Sequence, residues 1–292
     1  MLTIKIAKNS GFCFGVRRAV DMTAKELESK GDGLIYSIGH IIHNRDVVKE
    51  LSQKGLRVVE GLEGIENGTL IIRCHGLSDS VIEGAKNKGL RLVDTTCPYV
   101  MNSHRIANRL LSEGYHIIVV GDKDHPEIQA LYDKGNVTIV DENTDLSLFY
   151  IKSKKVGLIA QTTLPYNFYK KVIRSLLKKD FGELRIFNTI CNDTKKRQSY
   201  ARRLARVVDC TLVVGGKTSA NSRRLYQICK KANPNTYHIE NSDELDESWF
   251  IKITTVGIVS GASTPDYIIN QVVRKLKTIN TSCKNKEEVI KF

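Results

Sequence analysis

The chain has 292 residues, which is long for one domain and suits two or three small ones. Hydrophobic residues at 41% and charged residues at 26% fit a soluble globular protein, and no apolar run is long enough to cross a bilayer. The net charge of +13 favours anionic partners: nucleic acid, anionic lipid, acidic proteins or phosphorylated small molecules, unless it reflects only a Lys-rich background.

The opening segment lacks the apolar core of a signal peptide, so the expectation is a cytoplasmic protein with no membrane contact. Residues 4–7 read as a short strand. Cys13 follows, and then apolar residues at Val16, Ala19, Val20 and Leu27 have helical spacing. Strands are expected at 34–38, 57–59 and 70–73, with a fourth just before Cys97. Pro98 suits a first helical turn, and Val100, Ala107, Leu110 and Leu111 supply the apolar stripe behind it. The next third repeats the plan, with strands at 117–120, 137–140 and 156–159 and a fourth before Cys191. Asp193 or Thr194 can cap the helix that follows, which carries Leu204, Val207 and Val208. The last third offers strands at 212–214, 236–239 and 255–259, and then a helix.

The repeat is visible in the residues themselves. Leu90-Arg-Leu-Val-Asp-Thr-Thr-Cys97 and Leu184-Arg-Ile-Phe-Asn-Thr-Ile-Cys191 are identical at four of eight positions. The segment ending at Cys13 is a third version. The last third lacks a fourth strand, and residues 4–7 are the natural candidate to complete it. The expected fold class is therefore α/β: three pseudo-threefold-related α/β domains, each with a small four-stranded, mostly parallel sheet. The boundaries are 14–97, 98–191, and 192–280 together with 1–13, with 281–292 as a polar C-terminal tail.

Seven cysteines without a Cys-x-x-Cys pair argue against both a disulfide framework and a zinc ribbon. Cys13, Cys97 and Cys191 each fall at a strand-to-helix turn, where the helix N-terminus stabilises a thiolate. Three thiolates leave one iron of a cubane cluster open to substrate. Zinc held by three cysteines and a histidine is the structural alternative. Cys210, Cys229 and Cys283 lack this setting and read as structural or incidental. Cys74 adjoins His75 at a strand end and stays open.

Ligands of parallel sheets bind beyond the carboxyl ends of the strands. Those ends carry Gly39-His40-Ile-Ile-His43-Asn44, Cys74-His75-Gly76, Asp124-His125-Pro126-Glu127, Gln161-Thr162-Thr163, Ser219-Ala220-Asn221-Ser222 and Gly261-Ala262-Ser263. Any one of these is an ordinary turn or surface histidine. Together, at matching places in a repeat, they make a candidate site whose hydroxyls, amides and backbone N–H groups suit phosphate oxygens.

The ordered set Gly11-Phe-Cys13-Phe-Gly-Val-Arg17, Ile42-His43-Asn44-Arg45, His75-Gly76, Asp94-Thr-Thr-Cys97-Pro98, Gly121 with His125-Pro-Glu127, Gln161-Thr162-Thr163, Thr189-Ile-Cys191, Ser219-Ala-Asn221-Ser222 and Gly261-Ala-Ser263-Thr-Pro265 resembles the LytB family of 4-hydroxy-3-methylbut-2-enyl diphosphate reductases. The resemblance runs from Gly11 to about residue 276. It implies reductive dehydroxylation of that allylic diphosphate to isopentenyl and dimethylallyl diphosphate, the last step of the non-mevalonate isoprenoid pathway. It also implies a 4Fe-4S cluster on Cys13, Cys97 and Cys191, and ferredoxin or flavodoxin as electron donor. His43, His75, His125, Ser219, Asn221 and Ser263 would bind the diphosphate. Glu127 would be the proton donor, and Thr162 would lie by the substrate hydroxyl and help the relay. Two residues depart from the family pattern: Ala220 stands where a second serine is common, and Cys74 where Ala or Ser is usual. The competing readings are a three-cysteine cluster enzyme of the quinolinate synthase type, and a basic nucleic-acid-binding protein with structural metal. Short basic clusters such as Lys195-Lys196-Arg197, without a stripe or a known module, weigh against nucleic acid.

Overall fold

The computed structural model describes residues 2–29, 33–147, 150–281 and 288–291. In chain order its elements are β1 (Thr3–Ile6), α1 (Phe14–Ser29), β2 (Ile35–Ile38), α2 (Arg45–Gln53), β3 (Leu56–Val59), β4 (Thr69–Ile72), α3 (Asp79–Asn87) and β5 (Arg91–Asp94). There follow α4 (Pro98–Ser112), β6 (His116–Val120), α5 (Pro126–Gln129), β7 (Val137–Val140), β8 (Lys155–Ala160), α6 (Tyr166–Leu176) and β9 (Glu183–Ile186). The last are α7 (Asn192–Ala205), β10 (Cys210–Val214), α8 (Ala220–Ala232), β11 (Thr236–Ile239), β12 (Thr255–Ser260), α9 (Asp266–Thr281) and β13 (Glu288–Lys291).

The chain divides into two compact units. One comprises Arg18–Ile42 and Glu50–Cys191, and holds two parallel sheets ordered β3-β2-β4-β5 and β7-β6-β8-β9. In both, the strand that comes second in sequence lies outermost, the first and third are central, and the fourth closes the other side. The central strands β2 and β4 are buried along their whole length, as a parallel sheet covered on both faces requires. The outer strands β5 and β9 are only partly covered. Both of these lead directly into a cysteine: β5 into Cys97 and β9 into Cys191.

The other unit comprises Met1–Arg17, His43–Lys49 and Asn192–Phe292, and its sheet is ordered β11-β10-β12-β1-β13. Strands β11, β10 and β12 repeat the order seen twice in the first unit. The fourth place is taken by β1, which pairs in parallel with β12 in the register Thr3 to Thr255 through Ile6 to Ile258. The opening strand thus completes the last sheet, as the sequence leads one to expect. Its core gathers Ile4, Leu212, Val214, Val256, Ile258 and Val272 on one face, and Ala7, Leu204, Val213 and Leu225 on the other.

One local expectation is corrected and one is extended. Within the segment expected as a polar C-terminal tail, Glu288–Lys291 forms β13 on the outer side of β1, in parallel register. Val289 and Ile290 are β-branched, and β1 would otherwise present a bare edge of unpaired N–H and C=O groups. This sheet therefore has five strands rather than four. Helix α7 begins at Asn192, so Asp193 and Thr194 lie inside its first turn instead of capping it. Asp193 accepts from Arg197 Nε at 2.6 Å, an i,i+4 pair that favours placing it in the helix. The helix ends before Val207, which is half exposed, while Leu204 and Val208 face the core as expected. Cys283 lies outside the described residues.

Candidate active site

The three repeated cysteines occupy equivalent places. Helix α1 starts immediately after Cys13, Cys97 is the N-cap of α4 with Pro98 behind it, and α7 starts immediately after Cys191. Each is only partly buried. The Val16 N–H donates to Cys13 Sγ at 3.4 Å, so a helix-terminal amide points at that sulfur. The backbone pins all three. Cys13 N donates to Ala262 O at 3.0 Å, Cys97 N to Cys74 O at 2.9 Å and Cys191 N to Thr162 O at 2.9 Å. Cys210 and Cys229 differ: both are fully buried, and burial pushes each thiol up to about 12, which suits inert core residues. Helix-terminal placement and partial exposure give each of Cys13, Cys97 and Cys191 the chemistry of a metal-binding thiolate, and an amide is aimed at the Cys13 sulfur.

In the unit that carries Cys97 and Cys191, the parallel register of β6 and β8 brings two turns together. Gln161 N donates to Val120 O at 2.8 Å, which carries the ladder one step past the strands and sets Thr162 beside the start of α5. There Glu127 is 2% exposed. Its Oε1 accepts from Thr162 N at 2.8 Å and its Oε2 from Thr162 Oγ1 at 2.7 Å. Burial pushes the carboxyl up to about 7, against the downward pull of both Thr162 bonds. A carboxyl poised there exchanges a proton near neutral pH.

His125, the N-cap of α5, accepts from Glu127 N at its Nδ1, 3.2 Å away. That bond requires a lone pair on Nδ1, so in the neutral ring the proton sits on Nε2. The His75 ring meets the His125 ring edge to face, with centroids 5.3 Å apart. Beside it, Cys74 Sγ lies 3.5 Å from His75 Nε2. Gln161 turns inward and braces the two turns: its Oε1 accepts from Asp122 N at 2.9 Å and its Nε2 donates to Thr163 Oγ1 at 2.8 Å.

In the other unit the small residues of two turns pack against each other. A Cβ added at Gly261 would stand 2.2 Å from Ser222 Oγ, and one at Gly216 would stand 2.8 Å from His43 O. Ser219 caps α8, its Oγ accepting from Ser222 N at 3.4 Å, which leaves its own hydroxyl proton unspent among the described residues. Asn221 is 6% exposed, and its Nδ2 has no hydrogen-bond partner among the described residues. Ser263 Oγ donates to His43 O at 3.0 Å, so this hydroxyl must turn before it can donate elsewhere. Ser222, fully buried, also has an unpartnered hydroxyl oxygen among the described residues; the sequence placed it in the candidate turn but gave it no role of its own.

The sequence reading also missed Arg197. Counted there as part of a short basic cluster, its side chain is 3% exposed, paired with Asp193, and donates to Ser260 O at 3.4 Å. Ser260 Oγ in turn accepts from Gly11 N at 2.7 Å, so Arg197 braces the turn leading to Cys13. Only its i,i+4 spacing from Asp193 could have hinted at this.

These features describe an enzyme: parallel α/β sheets whose strand ends carry helix-capping thiols and a buried carboxyl poised near neutrality, here in an oxidoreductase. Residues 4–277 match the family profile described as LytB protein, and the chain belongs to that family. It is 43% identical to the 4-hydroxy-3-methylbut-2-enyl diphosphate reductase of Geobacter sulfurreducens, over 97% of this chain and 100% of that one. The enzyme of the same name from Aquifex aeolicus is 42% identical over 96% of this chain and 97% of its own. Among solved structures, a (E)-4-hydroxy-3-methyl-but-2-enyl diphosphate reductase, described as the terminal enzyme of the non-mevalonate pathway, superposes with a TM-score of 0.71 at 40% identity, covering 95% of this chain and 100% of that one. The E-1-hydroxy-2-methyl-but-2-enyl-4-diphosphate reductase of Plasmodium falciparum gives a TM-score of 0.87 at 25% identity, covering 100% of this chain and 92% of that one. No helix among the described residues is long and apolar enough to cross a membrane.

Proposed function

We propose that this chain reduces 4-hydroxy-3-methylbut-2-enyl diphosphate to isopentenyl diphosphate and dimethylallyl diphosphate, with loss of water. The observation that carries the reading is the buried Glu127 carboxyl, fixed at both oxygens by Thr162 and raised to about 7. Its supports are the names of the relatives and the shared family. The reaction takes two electrons and two protons: one proton leaves with the hydroxyl as water, and the other ends on an allylic carbon. Protonation at one or other end of the allyl system gives the two products.

When bound, a 4Fe-4S cluster on Cys13, Cys97 and Cys191 would supply electrons one at a time and one iron open to the substrate oxygen. The remaining work falls to the protein. Glu127 holds the proton that turns a poor leaving group, hydroxide, into water. Thr162 fixes the carboxyl with its N–H and hydroxyl, and that hydroxyl forms the short relay towards the substrate. The diphosphate is met by His43, His75 and His125, and by Ser219, Asn221 and Ser263. In the neutral ring His125 carries its proton on Nε2, and Asn221 offers an amide with no partner among the described residues. Ala220 still presents its backbone N–H at the start of α8, where partial positive charge favours an anion.

On this reading each sheet with its helices is a domain, with limits 14–97, 98–191, and 192–280 plus 1–13. The electron donor is a ferredoxin or flavodoxin, acidic where this chain is basic, and the setting is cytoplasmic. The test is anaerobic turnover. Cluster-loaded protein, the allylic diphosphate and a chemical one-electron donor such as reduced methyl viologen should yield both five-carbon diphosphates by mass spectrometry. Substrate recovered unchanged with the cluster intact would contradict the proposal.

A further inference from the structure

Two neighbouring helices hold most of the chain's positive charge. Helices α7 and α8 carry nine Lys and Arg residues against one acid, Asp193, and so supply a net +8 of the total +13. They pack side by side. Ala201, Leu204 and Ala205 of α7 share a core cluster with Leu225 and Cys229 of α8, and Cys229 Sγ lies 3.7 Å from Ala201 O. That packing turns the charges outward. On α7, Lys196, Ser199, Arg202 and Arg203 are exposed, and so is Arg206 just beyond its end. Positions 196, 199, 203 and 206 recur every three or four residues and share one face. On α8, Arg223, Gln227, Lys230 and Lys231 are exposed. The one acid of the pair, Asp193, is engaged by the buried Arg197.

We propose that this outward face is the docking surface for a small acidic protein that carries one electron at a time. The proposal rests on the reductase reading given above. Charge of a single sign draws an acidic protein in and orients it. A polar, exposed face suits a brief, salt-screened encounter rather than a permanent complex. Helix α7 starts at Asn192, directly after Cys191, so Lys196 lies within about 8 Å of helix rise from a thiol of the donor set. At each docking the carrier's reduced centre passes one electron to the centre that those thiols hold, and the carrier leaves oxidised. Two visits supply the two electrons of one turnover. A nucleic acid would match the charge but brings no electron.

The test compares two triple variants of equal charge. Lys196→Gln with Arg202→Gln and Arg203→Gln strips the face of α7. Lys171→Gln with Arg174→Gln and Lys178→Gln removes three exposed cations from the other unit. Both would be loaded with cluster and titrated by calorimetry with a plant-type 2Fe-2S ferredoxin and with a flavodoxin. They would then be assayed with each reduced carrier and, separately, with reduced methyl viologen. The α7 variant is expected to show Kd and KM for the carrier raised about tenfold at low salt, with viologen-driven kcat unchanged. The control should stay within about twofold of the parent. At about 1 M salt, where the Debye length is about 3 Å, the α7 variant and the parent should converge. Equal losses in the two variants would overturn the proposal, because net charge and not this face would then set affinity. So would a parent that binds neither carrier, or one that binds a duplex DNA of about 20 base pairs more tightly than either. The reductase reading fails separately: it falls if the parent turns over no substrate with methyl viologen, whatever calorimetry shows for the carriers.

Discussion

The turn of Glu127 and the start of α8 show two ways of holding polar groups under cover. Around Glu127 the bonds close on themselves: Thr162 satisfies both carboxyl oxygens, and His125 accepts from Glu127 N. At the start of α8 the reverse holds, since Asn221 Nδ2 and Ser222 Oγ are buried with no partner among the described residues. Leaving a buried polar group unpaired costs about 1–3 kcal/mol. A closed network keeps its geometry without ligand, as a proton donor must. An open one is completed by what binds, as an anion site is. On the proposed function the first region governs rate and the second affinity.

The sharpest way to break that division is Glu127→Gln. The amide keeps an oxygen for Thr162 N and nearly the same shape, so fold and cluster loading should persist while kcat falls by about 10²–10⁴. A large rise in KM with kcat preserved would place Glu127 in binding instead. Next in size is Asn221→Ala. Loss of a hydrogen bond to a charged group is worth about 1.5–3 kcal/mol, which is roughly a 10–150-fold rise in KM, with kcat at saturation little altered. Titration by calorimetry with the product diphosphate would check the same loss without turnover.

A smaller effect tests the closed network by pH. The Glu127 carboxyl has a folded value of about 7 against an ordinary 4.5. Between these limits the unfolded chain has already lost the proton that the folded chain keeps. Stability from this group is thus fully present below about 4.5 and is lost as pH rises through about 7, in total on the order of 3 kcal/mol. Parent and Glu127→Gln should differ in the slope of denaturation midpoint against pH over that window, the parent losing more as pH rises. Turnover should fall over the upper part of the same window as the acid ionises. Identical slopes would mean that the carboxyl titrates normally.

Much of this was legible in the residues. The octamers ending at Cys97 and Cys191 mark the fourth strand of two sheets, and the missing fourth strand of the last third correctly pointed to β1. Strand and helix periods are local signals, and repetition strengthened them. What stayed hidden was tertiary. β13 follows a polar stretch and has only Val289 and Ile290 to announce it, so its pairing depends on the open edge of β1. Arg197 looked like solvated charge because nothing in Lys195-Lys196-Arg197 shows which of the three turns inward.

The central claim is that Cys13, Cys97 and Cys191 serve one metal centre while Cys210 and Cys229 are core residues. The most direct measurement is iron and acid-labile sulfide on anaerobically purified protein, for the parent and for the single Cys→Ser variants at 13, 97, 191 and 210. The account predicts matched iron and sulfide in the parent and in Cys210→Ser, and marked loss in each of the other three. A parent that stays colourless after anaerobic reconstitution, binds only zinc, or keeps its iron when Cys13, Cys97 or Cys191 is replaced would contradict it.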